Sequence, residues 1–497
     1  MHRFYNKYFD MFLLLLGFAW GFSWLWLRGG VFDTSMSPTG YNWTRYLLSG
    51  WALEHNPRLF NNYREPLYYW TLGHLGDAFG SYRSVAVLIS SFSVTTMLAC
   101  CGYIGRFFGG AWVGMSAMIV FPWVAIHRNA VGWMNSYPLI GAWMAVMICV
   151  ALHIFSQKKG LVWPVILGVL CGLGLWIDQR ILLFVPVSVL LLLCRVVVVR
   201  SGWVLIVFGL SFGGAWNVGS WSDGRERILP VETKMEQQRA VVQRFQRFRG
   251  LKDSCGHVPK SDLLTVPFLR SSCAKETLVD NIRYRFSMSH VYGMWGWWVM
   301  MGMSILALVH RPWIYRILCF GIGVPSVIWM MWTPFPDRYM MLMAVPISAL
   351  GSVSMMGGRI FSKHRIGKGI VVGVVLAWAW NADWNDRERY TELKRSSINQ
   401  MQAIFVEILD KELKYKDYFM DCSRSGIESA FLPNTNYAQI IYQNKREGEA
   451  CSVYIQDESK YTRWLLKTEG DQLFPQHFGW DVFAKKDKVT LWRREPD

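Results

Sequence analysis

The residues that could do chemistry sit in short clusters beside long apolar runs. Asp33 stands just past the first run, Met11–Trp26. Further on, Asn61-Asn62-Tyr63-Arg64-Glu65-Pro66-Leu67-Tyr68-Tyr69-Trp70 sets a charged pair against a proline and then three aromatics. His127 with Arg128, Asp178 with Arg180, and Asp337 with Arg338 complete the set. Any single arginine here reads equally as an anchor at a helix end. Delivered to one level by distant segments, both signs of charge instead describe a site that could hold an anionic lipid headgroup, provided the elements around them bring that level together.

Those elements are membrane helices. The chain is 52% hydrophobic and contains 27 Trp, more apolar side chain than a soluble core can hide. Apolar stretches of about 18–22 residues recur along it, which is the length of a bilayer-spanning helix. Helices satisfy their own backbone groups where water is absent. The first run has no small-residue cleavage site after it and reads as a retained span, not a signal peptide. Spans are expected near residues 9–29, 83–105, 110–128, 132–155, 161–178, 181–199, 202–218, 291–309, 314–333, 338–356 and 368–382, about eleven in all.

The net charge of +17 orients them. With the N-terminus inside, the inner connections contain Arg3 and Lys7, Arg106, Lys158 and Lys159, and Arg195 with Arg200. Later inner connections contain His310, Arg311 and Arg316, then Arg359, Lys363, His364, Arg365 and Lys368. They are basic and nearly free of acids, as the positive-inside rule requires. The excess charge is thereby accounted for and does not point to nucleic acid. An odd number of spans leaves the C-terminus outside. The expected fold class is an all-α polytopic membrane domain, residues 1–382, with outer loops 30–82 and 219–290. A small extracytoplasmic α/β domain, residues 383–497, follows.

In the second outer loop, Val241, Val242, Phe245 and Phe248 recur at helical spacing within the basic stretch Lys234–Arg249. That pattern suits a helix lying on the membrane surface or packed against other loops. The tail opens with a helical pattern, Tyr390–Leu413, and then alternates short apolar runs with turns: Tyr418–Met420, Ile440–Tyr442, Ser452–Ile455 and Val489–Trp492.

Cysteine positions follow the same division. Cys100, Cys101, Cys149, Cys171, Cys194 and Cys319 fall in the spans, where a thiol is a small apolar residue. The other four form two local pairs outside, Cys255 with Cys273 and Cys422 with Cys451. An even number in outer regions, with no CxxC, suggests two disulfides in an oxidising compartment. Zinc-ligand spacing is absent. Asn42-Trp43-Thr44 matches the glycosylation sequon in an outer loop. A transporter would place polar groups at midplane on broken helices in two related halves, and no such pair of segments is evident.

Three segments resemble GT-C glycosyltransferases, the superfamily of protein O-mannosyltransferases and aminoarabinose transferases. Arg64-Glu65-Pro66-Leu67-Tyr68-Tyr69-Trp70, after a first loop with an acid near its start, is similar to the family's Pro-Pro-Leu-Tyr-Tyr-Trp segment. Gly172-Leu173-Gly174-Leu175-Trp176, through Asp178-Gln179-Arg180 to Phe184-Val185-Pro186, resembles its Gly-Leu…Thr-Lys…Pro turn. Pro336-Asp337-Arg338-Tyr339-Met340 and on to Pro346 resembles its Arg-Tyr-Leu-Leu-Pro segment.

The resemblance implies transfer of a sugar from a polyprenyl phosphate to a glycan, lipid or protein acceptor outside the membrane. In that chemistry Asp33 would be the general base, taking the acceptor's proton as its oxygen attacks the anomeric carbon. Arg64, Arg180 and Arg338 would stabilise the departing phosphate. Glu65 would orient Arg64 or bind sugar hydroxyls, or else form a surface ion pair; Asp178 would bind substrate; and Tyr68, Tyr69 and Trp70 would face sugar or isoprenoid, or else form an interfacial aromatic belt. His55 and His74 could assist proton transfer, although such histidines are more often structural.

Two features depart from the family pattern: Asp33 is followed by Thr34, not a second acid, and Trp133-Met134-Asn135-Ser136-Tyr137-Pro138 has no carboxylate. One carboxylate is a poor cage for a divalent ion, so the sequence leaves metal use open. A non-catalytic or transport protein handling lipid-linked glycans is the alternative. A bacterial inner membrane is expected in preference to endoplasmic reticulum, since no retention signal or dilysine tail occurs.

Overall fold

The computed structural model describes residues 2–28, 66–80, 82–124, 136–156, 160–178, 184–199, 202–222, 295–306, 313–317 and 343–357. Near the C-terminus it describes 417–422, 438–442, 462–468, 479–486 and 489–494, with a few isolated positions elsewhere. Ten helices are named here: α1 (His2–Arg28), α2 (Pro66–Phe79), α3 (Tyr82–Gly109), α4 (Ala111–Val124), α5 (Tyr137–Ser156), α6 (Val162–Ile177), α7 (Val185–Val199), α8 (Trp203–Ser222), α9 (Trp295–Leu306) and α10 (Ala344–Gly357). By length and composition, Tyr8–Trp26, Ser84–Gly109 and Tyr137–Ser156 can each cross a bilayer. Shorter apolar helices include Ala111–Val124, Val162–Ile177 and Ala344–Met356. Helix α2 occupies part of the expected first outer loop. It starts on Pro66, whose fixed φ and missing N–H suit a first helical position.

Contacts between helices fix their relative directions. Helices α3 and α4 form an antiparallel hairpin about Gly110, which sits at φ 80° and donates its N–H to the Arg106 carbonyl at 2.9 Å. Only glycine takes that conformation without strain. A Cβ on Gly17 or Gly21 of α1 would strike Met115 or Met118 of α4 respectively, so the two ascend together. Trp143 Nε1 of α5 donates to Leu170 O of α6 at 2.7 Å, while His153 at the far end of α5 meets Trp163 at the start of α6. Those two are antiparallel. Among the described helices, α1 and α4 thus run one way and α3 the other, while α5 and α6 run in opposite directions.

The closest pair is α6 with α8. A Cβ on Gly168 would lie 2.5 Å from Phe208 O, and one on Gly172 would lie 2.7 Å from Phe212 O. Matching steps of four residues mean the helices run parallel, backbone against backbone, with Ser211 and Ala215 opposite the glycines. Between membrane helices, where lipid is as apolar as the core, such small-residue seams replace the hydrophobic effect as the source of association.

One end of the bundle is therefore defined by Arg106 of α3, His153 of α5 and Arg195 of α7. Buried Arg195 donates from a guanidinium nitrogen to Ile154 O in the last turn of α5, where a cation suits the helix dipole. Phe9, Leu13, Phe108, Ala111, Tyr315, Val353 and Met356 pack together in a separate apolar cluster that includes the start of α4 and the end of α10. The opposite end carries the end of α1, Trp123 of α4, Tyr137, Asp178 and the start of α9, where Gly296 lies against the Trp123 ring.

Five strands form one sheet in the order β2-β1-β3-β5-β4: β1 (Asp417–Cys422), β2 (Ala438–Tyr442), β3 (Thr462–Thr468), β4 (Asp481–Lys486) and β5 (Val489–Arg493). β2, β1 and β3 are parallel, and β3, β5 and β4 antiparallel. Strands β1, β2 and β5 fall where the sequence places them. The Ser452–Ile455 run and the Tyr390–Leu413 helix lie outside the described residues. β3 and β4 were not expected, because Arg463, Lys467, Lys485 and Lys486 break their apolar alternation. Trp480 and Trp492 are buried in the same continuous apolar cluster as the helices.

Candidate functional site

Of the residues singled out in the sequence, the structure describes those on α2 and at the end of α6. Helix α2 packs against α3 and α6. Tyr68 and Tyr69 are 0% and 2% exposed, edge to face with centroids 5.3 Å apart, and belong to the main core. Trp70 is 50% exposed and its ring lies 4.3 Å from that of His74. Two of the three aromatics thus hold α2 in place, and Trp70 is the one with a face available to a ligand or to lipid. His74 is engaged with that indole.

Asp178 ends α6. Its backbone is extended (φ −167°, ψ 136°), and its N–H donates to Gly174 O at 3.0 Å. Its carbonyl accepts from Ile181 N–H at 3.2 Å, and Ile181 O accepts from Phe184 N–H at 2.9 Å. Ile181 is fully buried against the Gly174 position. Between α6 and α7 the described hydrogen bonds step from Gly174 through Asp178 and Ile181 to Phe184. Asp33, Arg64, Glu65, Arg180, Arg338, His55, Cys255, Cys273 and Cys451 lie outside the described residues, as does the side chain of Cys422. Among the described residues no three His, Cys, Asp or Glu side chains converge as metal ligands.

The structure adds donors that the sequence did not single out. The indole nitrogens of Trp26, Trp297 and Trp492 are buried without a hydrogen-bond partner among the described residues. Trp26 ends α1 and Trp297 starts α9, both at the end of the bundle that carries Asp178. Trp492 lies on β5, within the same apolar cluster as Trp297. An unmet buried donor costs about 1–3 kcal/mol. With so many tryptophans in the chain, no sequence signal separates these from lipid-facing ones.

An apolar helical bundle joined to a mixed sheet defines an integral membrane protein. No protein-family model and no curated protein matches the chain. Among solved structures it is similar to ArnT from Cupriavidus metallidurans bound to undecaprenyl phosphate, over 99% of each chain at 9% identity, with a TM-score of 0.55. The apo form of that protein aligns over 94% of this chain and 97% of its own, at 10% identity and a TM-score of 0.54. Archaeal oligosaccharyltransferase AglB from Archaeoglobus fulgidus, in complex with an inhibitory peptide and a dolichol-phosphate, is similar over 93% of this chain and 70% of its own. Its identity is 11% and its TM-score 0.49. At such identities the likeness is one of fold.

Proposed function

We propose that this chain is a membrane glycosyltransferase that takes its sugar from a polyprenyl phosphate at the end of the bundle carrying Asp178. The observation that carries this reading is the full-length likeness in fold to a protein whose structure was solved with undecaprenyl phosphate. The acceptor oxygen attacks the anomeric carbon and forms the new glycosidic bond. As the bond from that carbon to the phosphate oxygen breaks, its electron pair leaves with the phosphate. Asp33 receives the acceptor's proton. Arg64, Arg180 and Arg338 hold the phosphate as its charge grows, with Glu65 and Asp178 orienting them or binding hydroxyls. Trp70 offers the aromatic face for sugar or isoprenoid.

That end faces the periplasm of a bacterial inner membrane in this reading, with the N-terminus cytoplasmic and residues 383–497 forming the outer domain. The oxidising side then allows disulfides Cys255–Cys273 and Cys422–Cys451. Peptide mapping without reductant is expected to recover both linked pairs, and alkylation of all four thiols in unreduced protein would refute them. The absence of a second acid beside Asp33 favours one other reading, a non-catalytic or transport protein that binds the same lipid-linked glycan.

Donor binding tests what both readings share. Titrating undecaprenyl phosphate onto the protein in nanodiscs should give saturable binding. Arg180→Gln and Arg338→Gln should each weaken it by roughly tenfold or more, since a charge-assisted hydrogen bond contributes about 1.5–3 kcal/mol. Affinities unchanged in both variants would remove these residues from the phosphate site.

A further inference from the structure

We propose a second lipid site, distinct from the donor site and at the opposite end of the bundle. Here Tyr103 and Arg106 of α3 and His153 of α5, flanked by Trp163 of α6, bind the phosphate of an anionic phospholipid in the adjacent leaflet. The exposed stripe of α3 runs Leu88, Phe92, Ala99, Tyr103, Arg106, at steps of three, four and seven residues that keep one helical face. Thr96, on the same face, spends its hydroxyl on Phe92 O of its own helix at 2.9 Å. The stripe thus offers acyl chains an apolar surface until Tyr103. From Leu88 to Arg106 the helix rises about 27 Å, close to the roughly 30 Å of a hydrocarbon layer. Arg106 therefore reaches headgroup depth.

At that depth three helices meet through polar and aromatic groups. Tyr103, 37% exposed, has its hydroxyl 3.4 Å from His153 Nδ1. The His153 ring packs edge to face on Trp163 with centroids 4.5 Å apart. Arg106 is exposed, and Lys158 and Lys159 follow in the sequence two residues after α5 ends. Among the described residues the acid at this end of the bundle is Asp10 of α1, one turn before Leu14, whose side chain lies with Arg106 against Gly114. Between Asp77 and Asp178 the chain contains no Asp or Glu, so α3, α4, α5 and α6 supply no carboxylate. Arg106 has no carboxylate partner among the described residues. The Arg106 guanidinium beside the Tyr103–His153–Trp163 cluster, with its apolar stripe running toward mid-bilayer, matches a lipid phosphate in charge and in depth. The apolar stripe makes the occupant a phospholipid and not a free phosphate ion.

Native mass spectrometry of the full chain, released from mixed micelles of dioleoyl phosphatidylglycerol and dioleoyl phosphatidylcholine, tests this. The wild type should retain phosphatidylglycerol with at least about fivefold preference, the effect of roughly one well-placed cation at a lipid surface. Arg106→Gln should abolish that preference, Arg106→Lys should keep most of it, and Tyr103→Phe should lower it about twofold. Inorganic phosphate at millimolar concentration should not displace the lipid. Equal retention of both lipids by the wild type, an unchanged preference in Arg106→Gln, or displacement by inorganic phosphate would each overturn the proposal. If Arg106→Gln does not fold, the wild-type preference and the Tyr103→Phe ratio still decide it.

Discussion

Asp33→Asn is expected to lower donor turnover by about 10²–10⁴-fold, the range for a general base. The amide has nearly the shape of the carboxylate but cannot accept a full proton, so the acceptor oxygen would have to attack while still protonated. The arginines proposed to hold the phosphate are untouched. The loss should therefore appear in kcat, with donor KM changed by less than about threefold, the signature of an interaction made only in the transition state. Single-turnover release of polyprenyl phosphate from labelled donor measures both. A variant retaining a third or more of wild-type turnover would show that another group takes the proton. Asp178, at the end of α6, would then be the first residue to replace.

The largest structural effect is expected at Gly172. A Cβ there would lie 2.7 Å from Phe212 O, 2.8 Å from Ala215 Cβ and 3.0 Å from Trp216 N. Two of these are backbone atoms of α8, which cannot turn aside as a side-chain tip can. Gly172→Leu must push the helices apart along the seam that includes Gly168. It would also pull the Trp176 Nε1 hydrogen bond from Trp216 O, 3.1 Å long and one turn further on. Overpacking of this kind costs roughly 1–3 kcal/mol, with a lost hydrogen bond of about 0.5–1.5 kcal/mol added. Gly214→Ala on α8 is the matched control, since nothing lies within 4 Å of its Cβ position. Thermal unfolding in detergent should fall clearly for Gly172→Leu and stay near wild type for Gly214→Ala. Equal melting of the two variants would mean that α6 and α8 are not packed through these glycines.

Much of the bundle was legible because the bilayer leaves few choices. An unbroken apolar run such as Tyr137–Ser156 has no alternative to a helix of that length, and one-sided basic charge orders the directions that the Gly21, Trp143 and His153 contacts display. Helix α2 was not legible as a helix. Arg64-Glu65-Pro66 reads as a loop until Pro66 is recognised as a first helical residue, and Tyr68 and Tyr69 reveal themselves as core only when α3 and α6 are placed against them. Strands β3 and β4 stayed hidden because their charged residues sit among the apolar positions. The unmet indole donors of Trp26, Trp297 and Trp492 depend on where neighbouring backbone runs, which no residue pattern encodes. For the proposed chemistry, sequence supplied Asp33, Arg64, Arg180 and Arg338, and structure supplied the backbone of Asp178 at the end of α6.

The most direct measurement of the central claim is donor consumption by the wild type. Membranes containing the chain, with their native acceptors, would be given undecaprenyl phosphate bearing radiolabelled mannose, glucose or aminoarabinose. The predicted result is that one donor loses its sugar to a membrane or protein fraction, releasing undecaprenyl phosphate, and that Asp33→Asn membranes do not do this. If wild-type membranes bind undecaprenyl phosphate yet leave all three donors intact, the transferase assignment is contradicted and the non-catalytic reading stands in its place.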